Sequence, residues 1–374
     1  MTDTANKAYS LYHLIMLTVF VGILLTGAIF YLVTAAIGGE NNLTDACFDG
    51  TVIEGTDPFS ALDRAVYQNT TSLKRVRNYQ YRVFGIVGTR DVIAGKNDFL
   101  FEVEDTENNY NYLDDYLGRL SFTYGESAAI LQQLTDRKNT YAEVGAEFLL
   151  VILPNSQTVY SEYMPTYLGD IRTTRLDCLE EYLLENGFTD FVNLTDDLLA
   201  YKTGEPLYNN TENSLNALGL YYTYRAVCAR FQPTVMAKTR VIPRGDLSFY
   251  QHLTTGKAVA RRAGLSDVAL NLTVSLANNT KLNYHIQHAD GRVAKTRLLP
   301  FESVDVSQTP SILLQFSGTW ERLQLEPFFS NTFLNVTYQT DLKNDPEIFE
   351  LARPRVVIQF IYENELSQLL SDYN

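Results

Sequence analysis

The stretch PLYNNTENSLNALGLYYTYRAV, Pro206 to Val227, sets a polar turn in front of an aromatic-rich helix. The turn is suited to presenting reactive side chains, yet it offers Thr211, Glu212, Asn213 and Ser214 and no histidine. A second stretch, SILLQFSGTW (Ser311 to Trp320), reads as a strand running into a helix and carries Ser317 and Thr319 at the junction. A hydroxyl at such a turn stands beside backbone N–H groups able to stabilise an oxyanion, but it attacks poorly until a base removes its proton. Imidazoles are scarce: His13 sits at the edge of an apolar N-terminal run, and His252, His285 and His288 lie in a stretch of different character. His285, His288 and Asp290 resemble metal ligands only faintly, since two histidines and an aspartate on a hairpin fit a solvated edge. Cys47, Cys178 and Cys228 lack zinc-site spacing, and they leave room for one disulfide and an odd thiol. No metal or cofactor is expected.

Strands alternating with helices must position these turns. AEFLLVILPNSQTVY is a near-continuous apolar run of strand length ended by Pro154, the pattern of a strand buried on both faces of a parallel sheet. The grammar repeats as a helix over Arg172 to Asn186 followed by TDFVNL, then SILLQFSG, TFLNVTYQ, a helix over Asp345 to Ala352, and RPRVVIQFIYENEL. Such alternation predicts right-handed crossovers and a three-layer α/β/α sandwich. Ahead of it, two helices are expected near Tyr110 to Gly118 and Ser121 to Val144, and RVFGIVGTRDVIAGKNDFLFEV reads as short strands broken by glycines. Between Pro233 and Pro300 the pattern changes to period two, with turns at Asn278-Asn279 and Asp290-Gly291, which predicts a small β insertion over 233–300. In open parallel sheets ligands bind at the carboxyl ends of the strands. The segments to inspect are therefore Pro154 to Pro165, Asn209 to Asn216 and Ser317 to Glu321.

At 374 residues and 45% hydrophobic composition, the chain can bury one large core. A net charge of −14 argues against a phosphate-binding surface, so nucleic acid is not an expected partner. Ala8 to Gly39 carries no formally charged residue and includes LIMLTVFVGILLTGAIFYLV. That is long enough to cross a bilayer core, which needs roughly 20 apolar residues as helix, and longer than the apolar core of a cleaved signal. Lys7 before it and Glu40 and Asp45 after it place the N-terminus in the cytosol. The expected organisation is a cytoplasmic tail over 1–10, a transmembrane anchor over 11–37, and a juxtamembrane stalk over 38–80 with a helix near Ser60 to Thr70. One extracytoplasmic domain follows over 81–374. Seven Asn-x-Ser/Thr sequons occur, and because several arise by chance in a chain rich in Asn and Thr, they imply nothing about a glycosylating host.

Five blocks in order, GKNDFLF (Gly95 to Phe101), VILPNSQTVYSEYMP (Val151 to Pro165), PLYNNTENSLNALGLYYTY (Pro206 to Tyr224), SILLQFSGTW and RPRVVIQFIYENEL (Arg353 to Leu366), resemble the alginate O-acetyltransferase, SGNH-hydrolase-like family of membrane-anchored extracytoplasmic proteins. The resemblance implies an SGNH-hydrolase-like α/β/α domain. It also implies acetyl transfer to an exported polysaccharide, with a multispanning membrane-bound O-acyltransferase as partner. Carried over by motif, the family's aspartate falls on Glu212, its histidine on Ser214 and the following tryptophan on Leu215. The nucleophilic serine falls on Thr319, its preceding aspartate on Gly318, and the following aromatic is kept as Trp320. A lysine after the Pro-Asn of the second block falls on Ser156. The resemblance thus makes Thr319, Glu212 and Ser214 the catalytic positions in degenerate form, and points to Asn155, Tyr160, Ser317 and Trp320 for substrate binding.

A hydroxyl at Ser214 cannot serve as general base. Asn213 or Ser214 instead suits capping of a helix beginning near Leu215, and Thr319 suits capping of the helix after it, with Glu321 in its first turn. Tyr160, Tyr163, Tyr221, Tyr222 and Tyr224 fit either sugar stacking or core lining. The expectation is a catalytically impaired, membrane-anchored protein of exopolysaccharide or cell-envelope modification that binds glycan or docks a partner. Two alternatives stand beside it: an active O-acetyltransferase or esterase using Thr319, aided by Glu212 or an imidazole from the insertion, and a structural envelope or surface protein.

Overall fold

The structure, a computed structural model, describes residues 71–87, 89–202, 204–231, 239–265, 267, 269–277, 284–299, 310–317 and 320–370, those at 71–76 and 320–323 by backbone alone. The expected tail, anchor over 11–37 and most of the stalk lie outside these residues, as do Gly318, Thr319 and the turn at Asn278-Asn279. Among the described residues, no helix is long and apolar enough to cross a membrane. The chain divides into two compact units, Met1–Tyr79 and Gln80–Asn374, and every described strand belongs to the second.

In chain order the described elements are helix α1 (Thr71–Phe84); strands β1 (Val92–Ala94), β2 (Leu100–Glu102), β3 (Glu104–Asp105) and β4 (Tyr110–Asn111); helices α2 (Tyr112–Tyr116) and α3 (Tyr124–Glu143); strand β5 (Glu147–Leu153); helices α4 (Ser156–Val159) and α5 (Arg175–Glu185); strand β6 (Phe191–Asn193); and helices α6 (Thr195–Tyr201) and α7 (Ala217–Phe231). Then come β7 (Phe249–Thr255), α8 (Ala258–Arg262), β8 (Leu270–Leu276), β9 (Tyr284–Ala289), β10 (Val293–Leu298), β11 (Ser311–Phe316), α9 (Trp320–Ser330), β12 (Asn335–Gln339), α10 (Pro346–Ala352), β13 (Val356–Tyr362) and a 3-10 helix, Glu363–Leu370.

Seven strands form the central sheet in the order β6-β5-β13-β11-β12-β10-β9, and the first five are mutually parallel. The apolar run EFLLVIL explains its depth. Leu149, Val151 and Leu153 enter one core with α6, α7 and α9, while Phe148, Leu150 and Ile152 enter another with α3, α5 and α10. Successive side chains of a strand point to opposite faces, so an unbroken apolar strand needs helices on both. β11 and β13 are split in the same way, Leu313, Val357 and Ile361 facing α3 and their neighbours facing α7. The result is the expected α/β/α layering around a mostly parallel sheet.

Two expectations change. The period-two stretch does not form one separate insertion. β7 and β8 pair with each other, whereas β9 and β10 join the central sheet, β10 antiparallel to β12 with Val293 opposite Gln339, and β9 antiparallel to β10 at the edge. Period two does mark strands here, but the buried Val293, Ala294, Thr296 and Leu298 let β10 pack as a sheet member. Second, Arg82 to Phe84 close helix α1 instead of opening a strand, and the chain leaves that helix through Gly85, whose φ of +63° suits a residue without a Cβ. Cys178 and Cys228 are both free thiols, so no disulfide joins them.

Candidate functional site

The carboxyl ends of β5, β13 and β11 lead into Pro154 to Ser156, Glu363 to Glu365 and Ser317. The turn before α7 closes over them. It is held by an isolated bridge between Tyr208 and Leu215 and by Asn216, whose Oδ1 accepts the N–H groups of Leu218 at 3.0 Å and Gly219 at 3.1 Å. The cap of α7 is therefore Asn216, not Asn213 or Ser214 as the sequence suggested. A helix starting at Ala217 leaves the two earlier residues outside reach of its orphan amides and frees them for the crevice.

At these strand ends lies a buried polar network. The Asn155 backbone N–H donates to Glu363 Oε2 at 2.7 Å, the Thr158 hydroxyl donates to the same oxygen at 2.8 Å, and Asn155 Nδ2 donates to the Tyr110 hydroxyl at 3.0 Å. Tyr110 in turn donates to Asp115, and the Arg175 guanidinium stacks over the Tyr110 and Phe122 rings. Burial pushes the Glu363 carboxyl up from 4.5 to about 8, and Asp115 adds to the rise. Asp115 is itself raised by burial, against its hydrogen bonds from Tyr110 and the Arg175 N–H.

Asn213 Oδ1 accepts from the Ser156 hydroxyl at 2.5 Å and from the Ser156 N–H at 3.3 Å. The buried Tyr112 phenol lies beside Asn213 and Glu102, and burial, with the Glu102 charge adding to it, raises that phenol. Asn209 Nδ2 reaches Glu212 Oε2 at 3.4 Å and Ser214 Oγ at 3.3 Å, which sets the Ser214 hydroxyl beside the Glu212 carboxylate. Burial raises the Glu212 carboxyl, while Lys257 and Arg261 pull it down. Ser317 Oγ donates to Glu365 Oε2 at 2.5 Å, and burial raises Glu365 as well.

The β7–α8–β8 segment packs against this turn. Asn210 Nδ2 donates to the Leu270 carbonyl at 3.0 Å, the Thr211 hydroxyl donates to Asn271 Oδ1 at 2.8 Å, and the Val259 N–H donates to the Thr211 carbonyl at 3.1 Å. What it brings to the carboxylates is cationic: Arg262 lies 3.4 Å from Glu102, and Lys257 and Arg261 act on Glu212. It brings no imidazole to them. His252 is opposite Thr273 on β7, and the exposed His285 and His288 lie on β9, three strands from β11. At about 4.8 Å per strand that is roughly 14 Å, beyond hydrogen-bond reach. His288 pairs with Asp290 at 3.2 Å, and among the described residues no group of three or more ligating side chains could hold a metal.

Of the residues expected to bind or react, Glu212 and Ser214 come together, and Ser317 stands beside Glu365. Asn155 is 3% exposed with its amide committed to Tyr110. Tyr160 is also 3% exposed, its hydroxyl accepting the Leu207 N–H at 2.9 Å and its ring packed among Phe99, Tyr163 and Tyr208. Trp320 opens α9, and Thr319 falls outside the described residues. Asn213 was expected only as a helix cap, and Glu102, Tyr112, Glu363 and Glu365 were not anticipated. Only the last two left a trace, as acids directly after the apolar run of β13.

PatB1 of Bacillus cereus, solved with a sulfonyl adduct, superposes with a TM-score of 0.52 at 12% identity, over 75% of this chain and 98% of that one. The chain shares its fold with PatB1. The O-acetyltransferase domain of Pseudomonas putida AlgJ gives a TM-score of 0.45 at 14% identity, covering 74% of this chain and 92% of its own. A DHHW family protein from Eubacterium siraeum gives 0.48 at 14%, covering 67% and 88%. At 12% identity the likeness to PatB1 is one of fold alone. No protein-family model and no curated protein matches the chain.

Proposed function

We propose that the chain is a membrane-anchored extracytoplasmic protein of polysaccharide O-acetylation that binds exported glycan at the crevice and has lost imidazole-dependent acetyl transfer. The observation that carries this reading is Ser214. Where the family resemblance expects a histidine, a hydroxyl accepts from Asn209 beside Glu212, and among the described residues no imidazole hydrogen-bonds Ser214, Glu212 or Ser317. A hydroxyl titrates far above neutral pH and cannot take a proton from a nucleophile there. What remains is a rim of amides, hydroxyls and half-buried carboxylates, groups that hydrogen-bond polyols. The apolar segment 11–37 anchors the chain with its N-terminus in the cytosol, beside a membrane-bound O-acyltransferase as partner.

The test uses the full-length chain in detergent micelles. Binding of bare and acetylated oligosaccharides is measured by calorimetry, and acetyl transfer from an acetyl ester to the same sugars is followed for the chain and for Thr319→Ala. Binding without Thr319-dependent transfer is expected. Transfer abolished by the substitution overturns the loss of acetyl transfer, and absence of glycan binding favours a structural envelope role.

A further inference from the structure

Ser317 and Glu365 come from the ends of adjacent parallel strands, β11 and β13. The Ser317 hydroxyl donates to Glu365 Oε2 at 2.5 Å, and the same oxygen accepts the Tyr362 N–H at 3.2 Å. The Tyr362 bond alone accounts for a carboxylate that caps the 3-10 helix after β13. It does not account for a serine from another strand delivered to that oxygen at the edge of the sheet where ligand crevices form. Both residues are half-buried, so they are partly withdrawn from water and still reachable. Helix α9 begins at Trp320, three residues after Ser317, and the positive end of an eleven-residue helix favours an oxyanion nearby.

We propose that Ser317 is a nucleophile and Glu365 its general base, a pair able to cleave small carboxylic esters with no imidazole. The proposal goes beyond glycan binding and does not depend on which sugar is bound. Glu365 takes the hydroxyl proton as the Ser317 oxygen bonds to the ester carbonyl carbon. The ester carbon–oxygen bond then breaks, and the departing alkoxide takes that proton from Glu365, leaving an acyl-serine and a free alcohol. In the second half, water gives a proton to Glu365 and its oxygen bonds to the acyl carbon. The Ser317 oxygen leaves and recovers the proton, so the products are the alcohol and the carboxylic acid. Burial, with Asp105 adding to it, holds the Glu365 carboxyl above its usual range, and a carboxylate closer to neutrality accepts a hydroxyl proton better.

The experiment uses the full-length chain in micelles with p-nitrophenyl acetate as substrate and a fluorophosphonate as a serine-directed probe, the modified residue being located by fragment mass spectrometry. Hydrolysis above the buffer rate and an adduct on Ser317 are expected. Ser317→Ala abolishes both, and Glu365→Gln, which keeps an acceptor oxygen but cannot take a proton, lowers both by about 10²-fold or more. Each variant is compared at matched melting temperature. Should Ser317→Ala fail to fold, the adduct position and Glu365→Gln decide the matter. An adduct on another residue, no adduct with no hydrolysis, or equal rates in Glu365→Gln overturns the proposal.

Discussion

Asn155 and Glu363 tie together the ends of two adjacent parallel strands: the backbone N–H of one donates at 2.7 Å to the carboxylate of the other. Glu363 has no exposed surface, and its second oxygen, Oε1, has no hydrogen-bond partner. A buried carboxylate with one satisfied oxygen favours its protonated form, which is why this carboxyl sits near 8.

The consequence is a pH dependence of definite sign. Between about pH 4.5 and about pH 8 the folded chain keeps a proton that the unfolded chain releases, so stability is full below that window and falls as pH rises through it. Asp115 is shifted the same way and reinforces the fall. Asp105 and Asp341, both lowered from 3.8, contribute stability above that value and lose it only in more acid solution. Thermal melting from pH 5 to pH 9 should show a decline on the order of a few kcal/mol, and Glu363→Gln should flatten it. An unchanged slope in the variant removes Glu363 as its source.

Asn216 joins the crevice turn to α7 twice over. Its Oδ1 caps the helix, and its Nδ2 donates to the Pro206 carbonyl at 2.7 Å. Asn216→Ala should cost about 1–2 kcal/mol in urea unfolding, while Asn216→Asp, which keeps the acceptor and loses the donor, should fall between. Equal losses in the two variants would assign the whole effect to the Pro206 contact.

Gly219 reverses an ordinary expectation. Replacing glycine by alanine inside a helix usually stabilises by about 1 kcal/mol. Here a Cβ would overlap the Leu207 carbonyl oxygen and lie 2.6 Å from Leu215 Cδ2, and the first of these is backbone that cannot swing away. Gly219→Ala should therefore destabilise by roughly 1–3 kcal/mol, as overpacking does. A rise in melting temperature would show that the turn can yield.

The layers of the sheet were legible because EFLLVIL, SILLQF and VVIQFIY are largely apolar on both faces and alternate with helices, the combined pattern of a helix-covered parallel sheet. The partition of 233–300 was not, because period two gives strands without saying which neighbour each one pairs with. At the site, Ser317 could be read from its place between a strand and a helix, and the polar turn with Glu212 and Ser214 from its position before α7 and the family resemblance. Glu102 and Tyr112 could not, and Asn213 was readable only as a helix cap. Glu102 and Tyr112 belong to the short segments β2 and α2, whose meeting with the crevice turn is set by long-range packing. Chance patterns also failed to carry structure: Asn209 and Asn271 head two of the sequons yet are 2% and 0% exposed.

The pairing of Arg262 with Glu102 gives the sharpest electrostatic test, because only one partner is out of water. Glu102 is 9% exposed and raised chiefly by burial, with Arg262 the main opposing influence, while 45% of the Arg262 side chain is exposed. An exposed pair would contribute little, but removing Arg262 leaves a buried carboxylate with no cation, and its carboxyl must rise further. Arg262→Ala should thus lose on the order of 1–3 kcal/mol at pH 8 and less at pH 5, where Glu102 can accept a proton instead. Arg262 also donates to the Glu104 carbonyl at 2.9 Å, a loss that does not vary with pH. The double variant with Glu102→Gln separates the two: the pH-dependent part should vanish and the constant part remain. If the double variant keeps the full pH dependence, Glu102 is not the group that Arg262 compensates.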